Sequence, residues 1–182
     1  MKQDLPAISI QPGQLHFARS PSMLRTILGS CVGVTFWSAR LKAGAMCHGI
    51  FPRCPPNTCG AEGHRYVDFS IRYLLGQFDA MGVARAELDV KLFGGADVLP
   101  VAHVVPSRPT VGAMNCQTAL EVLAAEGIRV TASDLGGTRG RTIRFHTGTG
   151  EVFLQRLSTM SQVEWREGDP VPASRGRRHL SG

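Results

Sequence analysis

LGSCVGVTFWSARLKAGAMCHGIFP, residues 28–52, holds the most informative pattern of the chain. VGVTFW (32–37) and GAMCHGIF (44–51) are two strand-like runs, and SARLK between them is a polar turn. Together they read as a β-hairpin. A turn centred between Arg40 and Leu41 makes paired residue numbers sum to 81, so Cys31 faces Ile50 and His48 faces Gly33. His48 then shares a face with Cys31, one diagonal step away, roughly 7 Å by backbone. A slip of one residue would send His48 to the other face.

That pairing matters because a free thiol, with a pKa near 8.5, is only a few per cent thiolate at neutral pH. An adjacent imidazole takes the proton, activates the sulfur and later protonates a leaving amine. Gly29, Gly33 and Gly49 would leave room for a substrate carbonyl, and backbone N–H groups around Ser30 and Cys31 could hold an oxyanion. Two plainer readings stay open. A cysteine in an apolar strand is usually a core residue, and a strand histidine is usually structural.

Outward from the hairpin, the segments alternate. Residues 15–19, 23–28, 88–93, 128–132, 142–146 and 151–157 read as strands, with Gly-rich turns at Gly136-Gly137 and at 148–150. Val67, Ile71, Leu74, Leu75 and Phe78 recur at helical spacing within residues 66–81, and Gly82 stops the run. Residues 114–126 read as a second helix ended by Gly127. Two amphipathic helices and about seven strands predict an α+β sandwich. The longer loops are 52–63 and 99–109.

The chain of 182 residues fits one domain, read here as residues 1–160, followed by a basic, solvated tail at 161–182 that holds Arg166, Arg175, Arg177 and Arg178. A hydrophobic content of 43% against 19% charged residues excludes wholesale disorder. No run of 18 apolar residues occurs, so no membrane insertion is expected, and the polar N-terminus does not read as a secretory signal. The expected location is the cytoplasm. Five cysteines are an odd and sparse set for a disulfide scaffold.

Other constellations are weaker. Cys47, Cys54, Cys59 and His64 lack the tight C-x₂-C knuckle of a zinc site, so no metal is expected. Cys54 and Cys59 could close a redox loop, but incidental loop thiols are the favoured reading. Residues 136–141, GGTRGR, lack the Lys-Ser/Thr ending of a phosphate loop and read as a turn with solvated arginines at Arg139 and Arg141. Asn115 reads as a helix cap or loop hydrogen bond. Val98-Leu99 could meet a partner, and Trp37 and Met46 read as packing residues. No strand interleaves aromatic and basic residues, which argues against nucleic-acid binding despite a net charge of +6.

The hairpin motifs LGSCVGV and GAMCHGIFP resemble the active-site hairpin of the CheD family, the chemoreceptor glutamine deamidases. The likeness continues through KLFGGA (91–96), VGAMNCQTALEVLAAEGIRV (111–130), DLGGTRGRTIRF (134–145) and TGTGEVFL (147–154). The resemblance implies a layered α-β-β sandwich related to toxin-type cysteine deamidases. It implies hydrolysis of particular glutamine amides, and in some members glutamyl methyl esters, on methyl-accepting chemotaxis receptors. It implies Cys31 as nucleophile, His48 as base and no cofactor. It implies a threonine upstream of the nucleophile, for which Thr26 is the candidate. An ungapped count would select Arg25, but Arg cannot accept a proton from His. Relatives also bind a CheC-like phosphatase, so the rival implication is a non-catalytic regulator of such a phosphatase.

Overall fold

The computed structural model describes residues 5–56, 59–60, 62–98, 108–158 and 178–180. The hairpin forms in the expected register. Strand β4 (Val32–Ser38) lies antiparallel to β5 (Ala43–Gly49), with Gly33 opposite His48. It sits at the centre of a five-stranded sheet. Its neighbours are β2 (Leu15–Ala18) beside β5, then β6 (Leu88–Gly94) beside β4, and β7 (Val130–Leu135) outermost. A second sheet runs β1 (Ala7–Ser9), β3 (Met23–Leu28), β8 (Arg141–His146), β9 (Val152–Arg156) and β10 (Arg178–Leu180). The two helices are α1 (Val67–Asp79) and α2 (Val111–Ala125).

Alternation along the central strands builds two cores. Val32, Val34, Phe36, Ala45, Cys47, Val90 and Leu92 pack with Ile71, Leu74, Leu75 and Phe78 of α1 and with Ala119, Val122 and Leu123 of α2. Met46 and Phe93 project from the opposite face and pack with Leu24, Leu28, Ile143, Phe145 and Val152 of the second sheet. The order is therefore helices, sheet, sheet. Covered on both faces, β5 is buried at every position. Each fully buried Leu, Ile or Phe contributes roughly 1.5–3 kcal/mol. Half-exposed ion pairs such as Arg40–Glu87 are screened by solvent and add little. The layers are therefore held by apolar burial.

Three features depart from the expected elements. Helix α2 begins at Val111, because the Thr110 hydroxyl accepts the Ala113 N–H and caps it, so Asn115 lies inside the helix and is not its cap. Two three-residue strands, β1 and β10, were too short to show a period. Arg141 is not a solvated turn residue. It is fully buried, paired with Asp134 and bonded to the carbonyls of Asp134 and Gly136. Trp37 and Met46 pack in the inter-sheet core, as expected. Within the expected tail, β10 pairs with β9; residues 161–177 and Leu99 lie outside the described residues.

Candidate functional site

His48 projects between the sheets, where β3 brings Thr26 against it. Thr26 Oγ1 stands 2.8 Å from His48 Nδ1 and 2.7 Å from the Ile10 carbonyl oxygen, and Nδ1 is 3.5 Å from the same oxygen. The tautomer follows from counting hydrogens. The Ile10 oxygen can only accept, so the single hydroxyl hydrogen of Thr26 goes there. Thr26 is left to accept from Nδ1–H, and the proton on the ring sits on Nδ1. The Nε2 lone pair is then free, and Nε2 is buried without a partner. Arg25, the other residue weighed beside Thr26, instead donates to Ser9 Oγ.

Cys31 lies just before β4 and borders the inter-sheet core, on the side to which His48 points. The turn at residues 29–31 is tied from behind through all three of its carbonyls. Ala96 N–H donates to Gly29 O at 2.8 Å, Asn115 Nδ2 to Ser30 O at 3.0 Å, and Gly95 N–H to Cys31 O at 2.8 Å. Among the described residues, the N–H groups of Gly29, Ser30 and Cys31 donate to no carbonyl outside the regular ladders. With the carbonyls held on one side, the Gly29 and Ser30 amides, which donate to no carbonyl outside the ladders, are donors suited to an anion. The close approach requires glycine at Gly94, where φ is +115° and a Cβ would stand 2.1 Å from Cys31 O. At Gly33 the space for a Cβ is filled by Leu28, and at Gly49 by Val67. Those glycines admit packing neighbours, and room for a substrate is left to the turn.

Protonation at rest follows from burial. Desolvation lowers the His48 pKa to about 4, only partly opposed by the Ile10 carbonyl, so the ring is neutral near pH 7. Desolvation also raises the Cys31 thiol, with its own backbone N–H pulling the other way. The resting pair is a neutral thiol and a neutral imidazole, not a preformed ion pair. Among the described residues no hydrogen bond joins them, a contact that in such sites commonly tightens only with substrate bound.

The remaining thiols stand apart. Burial pushes Cys47 up to about 12, in the helix-side core. Cys54 and Cys59 are joined as a disulfide, so they are not incidental free thiols. His64 packs edge-on against Phe69 and Tyr73. No group of three or more His, Cys, Asp or Glu among the described residues is arranged to hold a metal ion. No described helix is long and apolar enough to cross a membrane. Val98 covers Gly29, at a distance of ordinary contact from where a Cβ would stand. Of the two readings of Asn115, the loop hydrogen bond holds, since its Nδ2 donates to Ser30 O. Sequence reading missed Ile10 as the acceptor behind Thr26, a backbone oxygen that carries no local signal because it acts through a partner distant in the chain.

Residues 53–156 match the family model described as CheD chemotactic sensory transduction, a span that starts after the hairpin. A protein of Geobacter sulfurreducens described as probable chemoreceptor glutamine deamidase CheD 2 is 46% identical over 154 residues, covering 85% of this chain and 92% of that one. Probable chemoreceptor glutamine deamidases of Oleidesulfovibrio alaskensis and Pseudomonas fluorescens are 36% and 35% identical, covering 95% and 81% of this chain and 84% and 83% of theirs.

Proposed function

Because the chain belongs to the CheD family, we propose that it is a glutamine deamidase of methyl-accepting chemotaxis receptors, working in the cytoplasm by a cysteine nucleophile without a cofactor. One observation carries the reading. The Nε2 lone pair and Cys31 share the layer between the sheets, beside a turn whose amides donate to no carbonyl outside the ladders and whose carbonyls are all tied back.

The chemistry runs in two halves. As Cys31 Sγ attacks the glutamine Cδ, its proton passes to His48 Nε2, and the carbonyl oxygen gains charge against the N–H groups of residues 29–31. Because both groups start neutral, proton transfer and attack proceed together. Thr26 stabilises the imidazolium by accepting from Nδ1–H. His48 then gives its proton to the departing nitrogen. The C–N bond breaks, ammonia leaves and a thioester remains. Water gives a proton to His48 and attacks the thioester; the C–S bond breaks, Cys31 is reprotonated, and glutamate is released. Kinship with toxin-type cysteine deamidases is part of this proposal, and the layered order of helices, sheet and sheet supports it.

The test incubates purified receptor cytoplasmic fragments with the protein and follows peptide masses. Deamidation adds about one dalton per glutamine, the exchange of an amide for an acid through the acyl route. Wild type is expected to give the gain and Cys31→Ala to abolish it. Thr26→Val should lower kcat by roughly 10²-fold, in the range of general acid–base contributions, with Thr26→Ser recovering most of it. Folded wild-type protein that leaves every fragment unchanged, yet binds a CheC-like phosphatase, would turn the assignment to the regulator.

A further inference from the structure

Asn115 sits in the second turn of α2 and is fully buried. Its Nδ2 donates to two backbone carbonyls, Ser30 O at 3.0 Å and Ile50 O at 2.9 Å. Ser30 adjoins Cys31 and Ile50 lies two residues beyond His48. Both partners only accept, so the carboxamide has one orientation. Its oxygen is left buried and unpaired, a desolvation cost with no bond to offset it. What the side chain provides here is its pair of donor bonds.

Three glycines let α2 come this close. A Cβ on Gly112 would stand 2.6 Å from Gly95 O, one on Gly95 2.0 Å from Cys116 Sγ, and one on Gly94 2.1 Å from Cys31 O. The start of the helix, the turn at 94–95 and the turn at 29–31 are therefore stacked without side chains between them. Gly95 and Ala96 anchor the Cys31 turn to the end of β6. Asn115 adds a direct tie to the chain leaving β5, past the last ladder pair, Val32 with Gly49.

We infer that Asn115 is a positioning residue for deamidation: one carboxamide joins the turn that presents Cys31 to the end of the strand that presents His48, and so sets their separation. The inference rests on the deamidase reading. Losing the tie lets the turn shift against His48, and a displacement near 1 Å costs about 10²-fold in rate.

The experiment compares kcat and KM of wild type, Asn115→Leu, Asn115→Ser and Val122→Ala on a receptor fragment, together with the rate at which iodoacetamide alkylates Cys31. Val122 is a core residue of the same helix, absent from these contacts, and its truncation supplies a comparable loss of stability. Asn115→Leu is expected to lower kcat by roughly 30- to 100-fold with KM within about twofold. Asn115→Ser, which keeps one donor, should fall between, and it decides the matter if the leucine variant does not fold. Val122→Ala should keep kcat within about threefold. The inference is overturned if the Asn115 variants keep kcat, if they raise KM alone, or if Val122→Ala loses as much. Should wild type release no ammonia, the deamidase reading fails by itself, and alkylation decides. A Cys31 rate changed by about fivefold or more in Asn115→Ser upholds the tie, and a smaller change refutes it.

Discussion

Thr26 has one hydrogen to give, and where it goes decides what His48 can do. Spent on Ile10 O, it leaves the ring protonated at Nδ1 and open at Nε2. Burial then keeps the ring uncharged, with a folded-state pKa of about 4 below an ordinary value near 6.5. The unfolded chain therefore binds the proton first as pH falls. The stability contributed by the neutral ring is fully present above about pH 6.5 and drains away toward pH 4. Between pH 7 and 5 this one group should remove about 2 kcal/mol. Urea unfolding of wild type and His48→Gln at both pH values checks it. The wild type should lose about that much more than the variant, and equal losses would show that the ring is charged or solvated in the fold. Much of this site was legible beforehand. Counting across one turn put His48 opposite Gly33, and the ladder agrees. The neutral resting state was not legible, because it depends on a second sheet closing over the hairpin. Ile10 was hidden for the same reason, as a backbone oxygen that no side-chain pattern announces.

Among the elements, the longer strands and α1 follow from periodicity, while the start of α2 does not. Gly112 is a poor helix former, so the pattern gathers strength only at Met114, yet Thr110 caps the helix four residues earlier. Gly112 is tolerated because a Cβ there would strike Gly95 O. Not every helical glycine has such a reason. Gly76 of α1 is exposed, and a Cβ would meet nothing within 4 Å. Gly76→Ala should stabilise the protein by about 0.5–1 kcal/mol. Gly94→Ala should destabilise it by more than about 3 kcal/mol, since φ is +115° and a Cβ would stand 2.1 Å from Cys31 O. Thermal unfolding of both variants makes the comparison. Shifts of the same sign would mean that the turn behind Cys31 is far looser than described.

Across the molecule, the two sheets are joined at Arg141. This fully buried guanidinium, on β8 of the second sheet, pairs with Asp134 on the edge strand of the first and holds the Gly136 carbonyl. Gly136 N–H in turn donates to Gly94 O, and Asp97 N–H to Gly137 O, so the buried charge braces the turn that backs Cys31. Asp134 keeps a second cation, Arg156, at 2.6 Å. Arg141→Leu should nonetheless cost about 3–5 kcal/mol, as removing one partner of a buried pair does. Denaturant midpoints would show it, and a loss under about 1 kcal/mol would mean that Arg156 substitutes for the missing charge. A turn arginine looked solvated from sequence because the closing of one sheet over the other is a long-range event.

The dryness of Nε2 has a further consequence for timing. A base that bulk solvent cannot wet cannot prime water while the amine still fills the gap above the sulfur. In the proposed reaction, departure therefore comes first and hydration second. How long the acyl intermediate lingers then follows how readily water reaches a base as buried as Nε2.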